Sequence, residues 1–344
     1  MVNILIIGAT GFIGGDALYA IEKAYPDADI TCLVRNSDRG AVVAKTYPKV
    51  KLAYGSLDDY DIIKEEASKA SIVLNCANCD HEGAASAIVE GLSQRDTKSF
   101  IIHTSGTAIL CFADMGKSIG AASDKIYNDW DGIKEVTSLP DDAPHRTVDK
   151  IILAANKTSG GKIQTAIVCP PTIYGPGRGP GNQKSDQINK LAKAYMERGN
   201  AFMIGDGLNK WTSIHVHDLS DLYLRLLTEA VDGGDKATWN DAGYYFVEND
   251  EFEWGDTQKK VATEVHKLGL IKSTEMEKIT SVEEADKLGG FWGYNSRCRA
   301  LRAKKLLGWS ASGDSLVSTL PATVKVEAVD LGLVKKGYAE TVEN

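Results

Sequence analysis

The sequence predicts an α/β protein built on a doubly wound parallel sheet, with a smaller C-terminal lobe. Three observations predict it. A short apolar run, Val2-Asn-Ile-Leu-Ile-Ile, ends in Gly8-x-x-Gly11-x-x-Gly14, and a helical pattern begins at once. Further short, β-branched, nearly all-apolar runs alternate with amphipathic stretches through the first half. Such runs suit strands covered by helices on both faces, and the alternation implies right-handed βαβ units. The regularity stops at a stretch rich in proline and glycine that begins at Pro170.

The first strand spans 3–7. The turn after it needs a residue that tolerates positive φ, and a missing Cβ where backbone approaches closely. The helix behind it offers free N–H donors, so the turn is a site for a pyrophosphate. That helix sets Ile13, Ala17, Ile21 and Ala24 on one face. Strands are expected over 30–34, 50–53, 72–76, 100–103 and 164–168. Helices are expected over 59–70, 83–94 and 147–157, each with an apolar face such as Val148, Ile151, Ile152 and Ala155. Ligands of such sheets bind at the carboxyl ends of the strands, so Gly8, Arg35, Gly55, Ala77 and Ser105 line one cleft. After the loop 170–181 come a helix over 185–198, an apolar piece over 201–204 and a strand over 211–216. Asp218 reads as the cap of a helix through Leu227, and helical patterns recur at 257–268, 297–307 and 314–331. Residues 1–170 then form a dinucleotide-binding domain to which 211–247 return, and 171–210 with 248–344 form a substrate-binding lobe.

Composition bounds the partners. The chain has 344 residues, 43% apolar and 25% charged, which is ordinary for a globular protein. A net charge of −8 argues against nucleic acid or an anionic membrane. No run nears the roughly 18 apolar residues of a membrane helix. Neither end carries a recognisable targeting signal, so the cytoplasm is expected. The six cysteines do not make a disulfide scaffold. Cys76-x-x-Cys79 lacks a second ligand pair, and His215 and His217 lack a third ligand, so all four read as structural and no metal is expected.

The second strand ends in Leu33-Val34-Arg35-Asn36-Ser37-Asp38-Arg39. An acidic residue there would bind both ribose hydroxyls of NAD. A guanidinium suits a 2′-phosphate instead, with Ser37 and Arg39 as further donors beside Asn36, so NADP(H) is expected over NAD. Ser56 and Leu57 are placed under the adenine, and Cys76, Ala77 and Asn78 along the ribose. Thr10, Gly11, Phe12, Ile13, Gly14, Pro170 and Thr172 complete the cofactor candidates.

With these motifs the chain resembles the extended and atypical short-chain dehydrogenase/reductase group, the NAD-dependent epimerase/dehydratase-like proteins, over roughly 2–309. The resemblance rests on Gly8-Ala-Thr-Gly-Phe-Ile-Gly14, Phe100-Ile-Ile-His-Thr-Ser105-Gly-Thr, Pro171-Thr-Ile-Tyr174-Gly-Pro-Gly, Gly205-x-Gly207-x-x-x-Trp211-x-x-Ile214-His-Val-x-Asp218 and Arg299-Ala-x-Arg302 through Trp309. It implies a Rossmann fold and a nicotinamide dinucleotide. It also implies a Ser or Thr that holds the substrate oxygen, a Tyr that moves its proton, and a Lys four residues later that holds the nicotinamide ribose. Ser105 matches the first, with Thr104 beside it, and Lys150 matches the Lys. Counting back four from Lys150 gives Arg146, which stays protonated and cannot serve as general acid or base. Arg146 would hold an anionic substrate or polarise a carbonyl. His145 beside it, or Tyr127 from the insertion 121–143 folded over the cleft, would move the proton. Otherwise water or the substrate supplies it, or the dinucleotide binds without turnover. Tyr47 to Lys51, a Tyr-x-x-x-Lys, precedes the third strand and reads as chance.

Substrate contacts are expected from His81, Glu82, Tyr174, Arg178, Gln183, Trp211 and Arg297. Tyr174 and Trp211 would wall an apolar group. Arg297, Arg299 and Arg302 either face a sugar diphosphate or form a solvated face. The resulting expectation is an NADP(H)-dependent oxidoreductase acting on a carbonyl, conjugated or imine bond of a small organic molecule. Its alternatives are a nucleotide-sugar epimerase or dehydratase and a redox-sensing NADP-binding regulator. A homodimer is an open expectation.

Overall fold

A computed structural model describes residues 2–335. The first half alternates strictly: β1 (Asn3–Ile7), α1 (Phe12–Ala24), β2 (Asp29–Val34), α2 (Ser37–Thr46), β3 (Lys51–Tyr54), α3 (Tyr60–Lys69), β4 (Ile72–Asn75), α4 (Glu82–Ser93) and β5 (Ser99–Thr104). Then come β6 (Tyr127–Asn128), α5 (Ile133–Thr137), α6 (Arg146–Thr158), β7 (Ile163–Cys169), β8 (Thr172–Tyr174), α7 (Gln187–Arg198), β9 (Ala201–Ile204), β10 (Lys210–His215) and α8 (Val216–Val231). The chain closes with β11 (Tyr244–Phe246), β12 (Asp250–Glu253), α9 (Trp254–Lys267), β13 (Met276–Ile279), α10 (Val282–Gly289), β14 (Cys298–Arg299), α11 (Arg302–Leu307) and α12 (Leu316–Asp330).

The main sheet has seven strands in the order β11-β7-β5-β4-β1-β2-β3. Every pairing in it is parallel. Ile4, Leu5, Ile6 and Ile7 of the central β1 are each at most 1% exposed, as a strand covered on both faces requires. The chain leaves β1 toward β2 and later returns on its other side at β4. That reversal opens a crevice at the carboxyl ends of β1 and β4, where Gly8 and Cys76 sit. Helix α1 packs against α8, and α4 packs against both α3 and α6.

A second core lies under α7, α9 and α12. It holds Trp211, Trp254, Trp292, Tyr195 and Phe202, with Trp254 and Trp292 stacked at 5.2 Å. Three expectations change here. Strand β10 joins β12 and β8 in a separate three-stranded sheet, while α8 and β11 return to the main one. Asp218 does not cap α8. The helix begins at Val216, and the Asp218 carboxylate accepts from Ser312 N at 3.0 Å and Gly313 N at 2.9 Å, tying down the C-terminal segment. The stretch 297–307 opens as a strand, because β14 pairs with β6 and Arg297 and Arg299 both reach Glu251.

The loop after β8 is fastened to the glycine turn. Arg178 donates through its backbone N and its guanidinium to Asp16 at 2.6–3.1 Å, and Asp16 is fully buried. Asn182 N donates to Thr10 O at 3.0 Å. Among the described residues, no helix is long and apolar enough to cross a membrane.

Candidate active site

The crevice is a cleft of about 670 Å³. Gly8 turns its floor at φ +95°, and a Cβ there would lie 2.7 Å from the Cys76 carbonyl carbon. The turn is closed by Gly11 N donating to Gly8 O at 2.9 Å. Thr10, Ser56, Leu57, Cys76, Ala77 and Asn78 line the cleft, together with Asp58 and His81. At its far end stand Arg35 and Arg39, both exposed and without an ion pair among the described residues. Asn36 is engaged otherwise: its side chain accepts from Arg39 N at 3.0 Å and caps α2, which Ser37 opens. Ser56 likewise bonds Asp59 at the start of α3.

Phe12 and Ile13 line a neighbouring cavity of about 430 Å³ that shares Cys76 with the cleft. Gly14 packs against Gly8 instead of lining the cleft, and the Pro170 carbonyl accepts from Thr107 N at 3.0 Å. Thr172 is fully buried, with no partner for its Oγ1 among the described residues.

Ser105 follows β5 and is 4% exposed. Its Oγ donates to Asp149 Oδ2 at 3.1 Å, and Tyr244 OH donates to the same oxygen at 3.1 Å. Asp149 is fully buried and its Oδ1 has no partner among the described residues. Burial pushes its carboxyl up to about 6, against the hydrogen bonds and the nearby positive charges of His145 and Arg146.

His145 precedes α6 at φ 63°, left-handed for a residue with a side chain. Its Nδ1 lies 2.7 Å from Asp80 Oδ1 and 3.3 Å from Cys79 Sγ. Burial would lower its pKa, but the bonds to Asp80 and Cys79 outweigh it and hold the ring up at about 10. Both neighbours meet the same ring nitrogen. The other, Nε2, would be 3.1 Å from a Cβ at Gly106, so that edge of the ring lies against the residue next to Ser105.

The expected Lys150 and Arg146 pair is corrected by one residue. Lys150 turns outward, half-exposed, with Nζ at 2.7 and 2.8 Å from the two Asp141 oxygens. Arg146 is buried and donates to the carbonyls of Leu139 and Thr137. A one-residue step turns a helical side chain by about 100°. The residues four apart at the Ser105–Gly106 turn are therefore Asp149, bonded to Ser105, and His145, against Gly106, with Asp149 N donating to His145 O at 3.1 Å.

Other expected contacts also take structural places. Tyr127 is no lid: it is buried in β6, paired with β14. Thr104 bonds Tyr223 OH at 2.6 Å and Cys76 Sγ at 3.4 Å. His81 caps α4 by accepting from Ala84 N at 3.0 Å, and its other nitrogen meets Asp58, while Glu82 is exposed. Tyr174 OH donates to Asp314 O at 2.8 Å and Trp211 Nε1 to Tyr294 O at 2.8 Å, both inside the second core. Arg178 is held by Asp16, and Gln183 donates to Gly179 O at 2.8 Å. Arg297 forks onto Glu251 at 2.9 and 3.0 Å, and Arg302 donates to Asp129 O at 2.8 Å, so neither is a solvated face. Apart from His81, which also stands in the cleft wall, and the exposed Glu82, these residues find partners within the protein.

Sequence reading missed Asp149, Asp80, Cys79, Tyr244 and His103. The spacing His145-x-x-x-Asp149 was present as a signal. Nothing local marks Asp80 or Tyr244, which arrive from α4's lead-in and β11. His103 bonds Asn75 at 3.1 Å and burial pushes it down to about 4.

A model of the NAD dependent epimerase/dehydratase family matches residues 4–241. The chain is 36% identical over 344 residues to a protein named oxidase ucsJ from Acremonium sp., covering 96% of this chain and 99% of that one. Among solved structures it is similar to DesIV, a dTDP-glucose 4,6-dehydratase from Streptomyces venezuelae with NAD bound. The TM-score is 0.68 at 16% identity, over 97% of this chain and 99% of that one. It is also similar to a UDP-glucose 4-epimerase from Thermotoga maritima, with TM-score 0.65 at 14% identity over 96% and 99% of the chains. These structures share the fold, and the sequence matches carry the lineage: the chain belongs to the NAD dependent epimerase/dehydratase family, as an oxidoreductase of that family.

Proposed function

We propose that the protein is an NADP(H)-dependent oxidoreductase that interconverts a hydroxyl and a carbonyl on a small organic molecule. One observation carries the reading: the glycine-turn cleft ends at two guanidinium groups, Arg35 and Arg39, with no ion pair among the described residues. Two exposed cations beside the ribose position suit a 2′-phosphate. The cradle at Gly8, too tight for a Cβ, suits a pyrophosphate against backbone N–H groups. The bound dinucleotide would donate or accept the hydride. Ser105 would hold the substrate oxygen. His145, cationic and fixed at Nδ1 by Asp80, would offer Nε2–H to that oxygen and stabilise charge that develops on it. The relative named an oxidase supports redox turnover over cofactor sensing. A nucleotide sugar fits less well, because Arg297 and Arg299 are engaged with Glu251 and Arg302 with Asp129.

The test is a pair of dissociation constants, for NADPH and NADH, in the wild type and Arg35→Ala. A phosphate contact contributes about 1.5–3 kcal/mol. The variant should therefore lose at least tenfold in NADPH affinity and little in NADH affinity. An unchanged preference removes Arg35 as selector. Tight NADPH binding with no turnover on a panel of alcohols and carbonyls would favour a sensor.

A further inference from the structure

Asp149 stands one residue before Lys150, the position at which the resemblance leads one to expect a cation, and is bonded to Ser105. It is a fully buried carboxyl with no ion pair among the described residues. Arg146 on its own helix faces the Thr137 and Leu139 carbonyls, and Lys150 faces Asp141. Its Oδ2 receives two O–H donors, from Ser105 and Tyr244, and its Oδ1 receives none among the described residues. An anion buried without a cation partner is costly, and two hydroxyl bonds offset only part of that cost. Such a group is disposed to take up a proton. Its bonding also orients Ser105: a hydroxyl that donates to Asp149 keeps its lone pairs to accept from a second hydroxyl.

We propose that Asp149 is the proton acceptor for oxidation of a substrate hydroxyl, working through Ser105. This rests on the functional reading above. The substrate O–H proton passes to Ser105 Oγ as the Ser105 proton passes to Asp149 Oδ2. The substrate carbon loses a hydride to an oxidised nicotinamide dinucleotide, and its C–O bond becomes C=O. One proton and one hydride leave the alcohol, and each has a stated destination. His145 beside Ser105 supplies positive charge to the oxygen while the proton leaves it. In this scheme Ser105 touches the substrate and Asp149 acts behind it.

The groups facing Asp149 are few. His145 and Arg146 on α6 contribute positive charge, and Ser105 and Tyr244 donate hydrogen bonds. Cys169 on β7 lies behind, 3.3 Å from Tyr244 OH, and burial keeps both the Cys169 thiol and the Tyr244 phenol protonated. The titrating group in this nest near neutrality is therefore Asp149, which becomes a base as pH rises through about 6.

Infrared difference titration from about pH 4 to about pH 8 tests this without turnover. Burial also pushes the Asp129 carboxyl up to about 6, so the wild type should show two carboxyl groups titrating near 6, and Asp149→Asn should lose one of them. Ser105→Ala removes a bond that favours the anion, so it should move the Asp149 midpoint upward. With NADP+ and a panel of secondary alcohols, Asp149→Asn should keep dinucleotide affinity and lose at least about 100-fold in oxidation rate. It should also lose the rise of rate through pH 6, and Asp149→Glu should restore part of it. No loss of carboxyl signal near 6 between the wild type and Asp149→Asn, or full oxidation with an unchanged pH profile in Asp149→Asn, overturns the proposal. If the wild type binds no dinucleotide, the functional reading fails and the Ser105-dependent band alone decides whether Asp149 is the proton store. Should Asp149→Asn fail to fold, Asp149→Glu and Ser105→Ala carry the same readouts.

Discussion

His145 shows how much one backbone conformation settles. At φ 63° it costs on the order of 1–3 kcal/mol relative to a relaxed residue. The bond from its Nδ1 to Asp80, at 2.7 Å, holds it there. The consequence is a measurable charge state. Asp80→Asn should drop the His145 midpoint in a proton NMR titration from about 10 toward the ordinary range near 6.5. The sign for stability follows from the raised pKa. The contribution is complete below about pH 6.5 and is lost as pH rises through about 10. The wild type should therefore lose its stability margin over Asp80→Asn between those two pH values. Equal margins at pH 6 and 10 would show that the ring is not held cationic.

Among the elements, the loop after β8 has the largest consequence for its length. Its regular structure is slight, yet Arg178 enters a fully buried carboxylate on α1 and stacks over Tyr19 at 4.6 Å. Removing one member of such a pair strands the other charge in the interior. Arg178→Met should lower unfolding free energy in urea by about 3 kcal/mol, and adding Asp16→Asn should recover part of it. A loss below about 0.5 kcal/mol would mean that the loop is held by its backbone bonds alone. Six of the seven main-sheet strands were legible within one or two residues, because short β-branched runs between breakers have few other readings, whereas β11 was not. The sheet that β10 joins was not legible, because an apolar strand does not state its neighbour.

For the whole molecule, the two cores divide the work. Residues lining the larger cleft come mostly from the carboxyl ends of the main sheet, whereas Trp254 lies in the second core. Trp254 is fully buried between Trp211 at 6.2 Å and Trp292 at 5.2 Å. Trp254→Ala should cost about 4 kcal/mol of stability in urea. While folded, that variant should keep its NADPH dissociation constant within about threefold, since the rings it packs against, Trp211, Phe252 and Trp292, do not line the cleft. A larger change would show that the second core shapes the cleft.

The sequence by itself determined the βαβ alternation, the glycine turn after the first strand, the arginines after the second, and Ser105 after the fifth. These are local matters: period, punctuation and residue type act over a handful of positions. Only the tertiary structure decided which residues at the start of α6 face Ser105. Helix phase there depends on where the cap falls, and His145 begins the helix in a conformation that no local pattern announces. It likewise drew Tyr174, Trp211, Arg178, Arg297 and Arg302 into internal bonds, because a large polar side chain satisfies itself with whatever the fold brings near. Tyr244 and Asp80 joined the site on the same terms, carried there by the sheet from positions 95 residues after and 69 before Asp149.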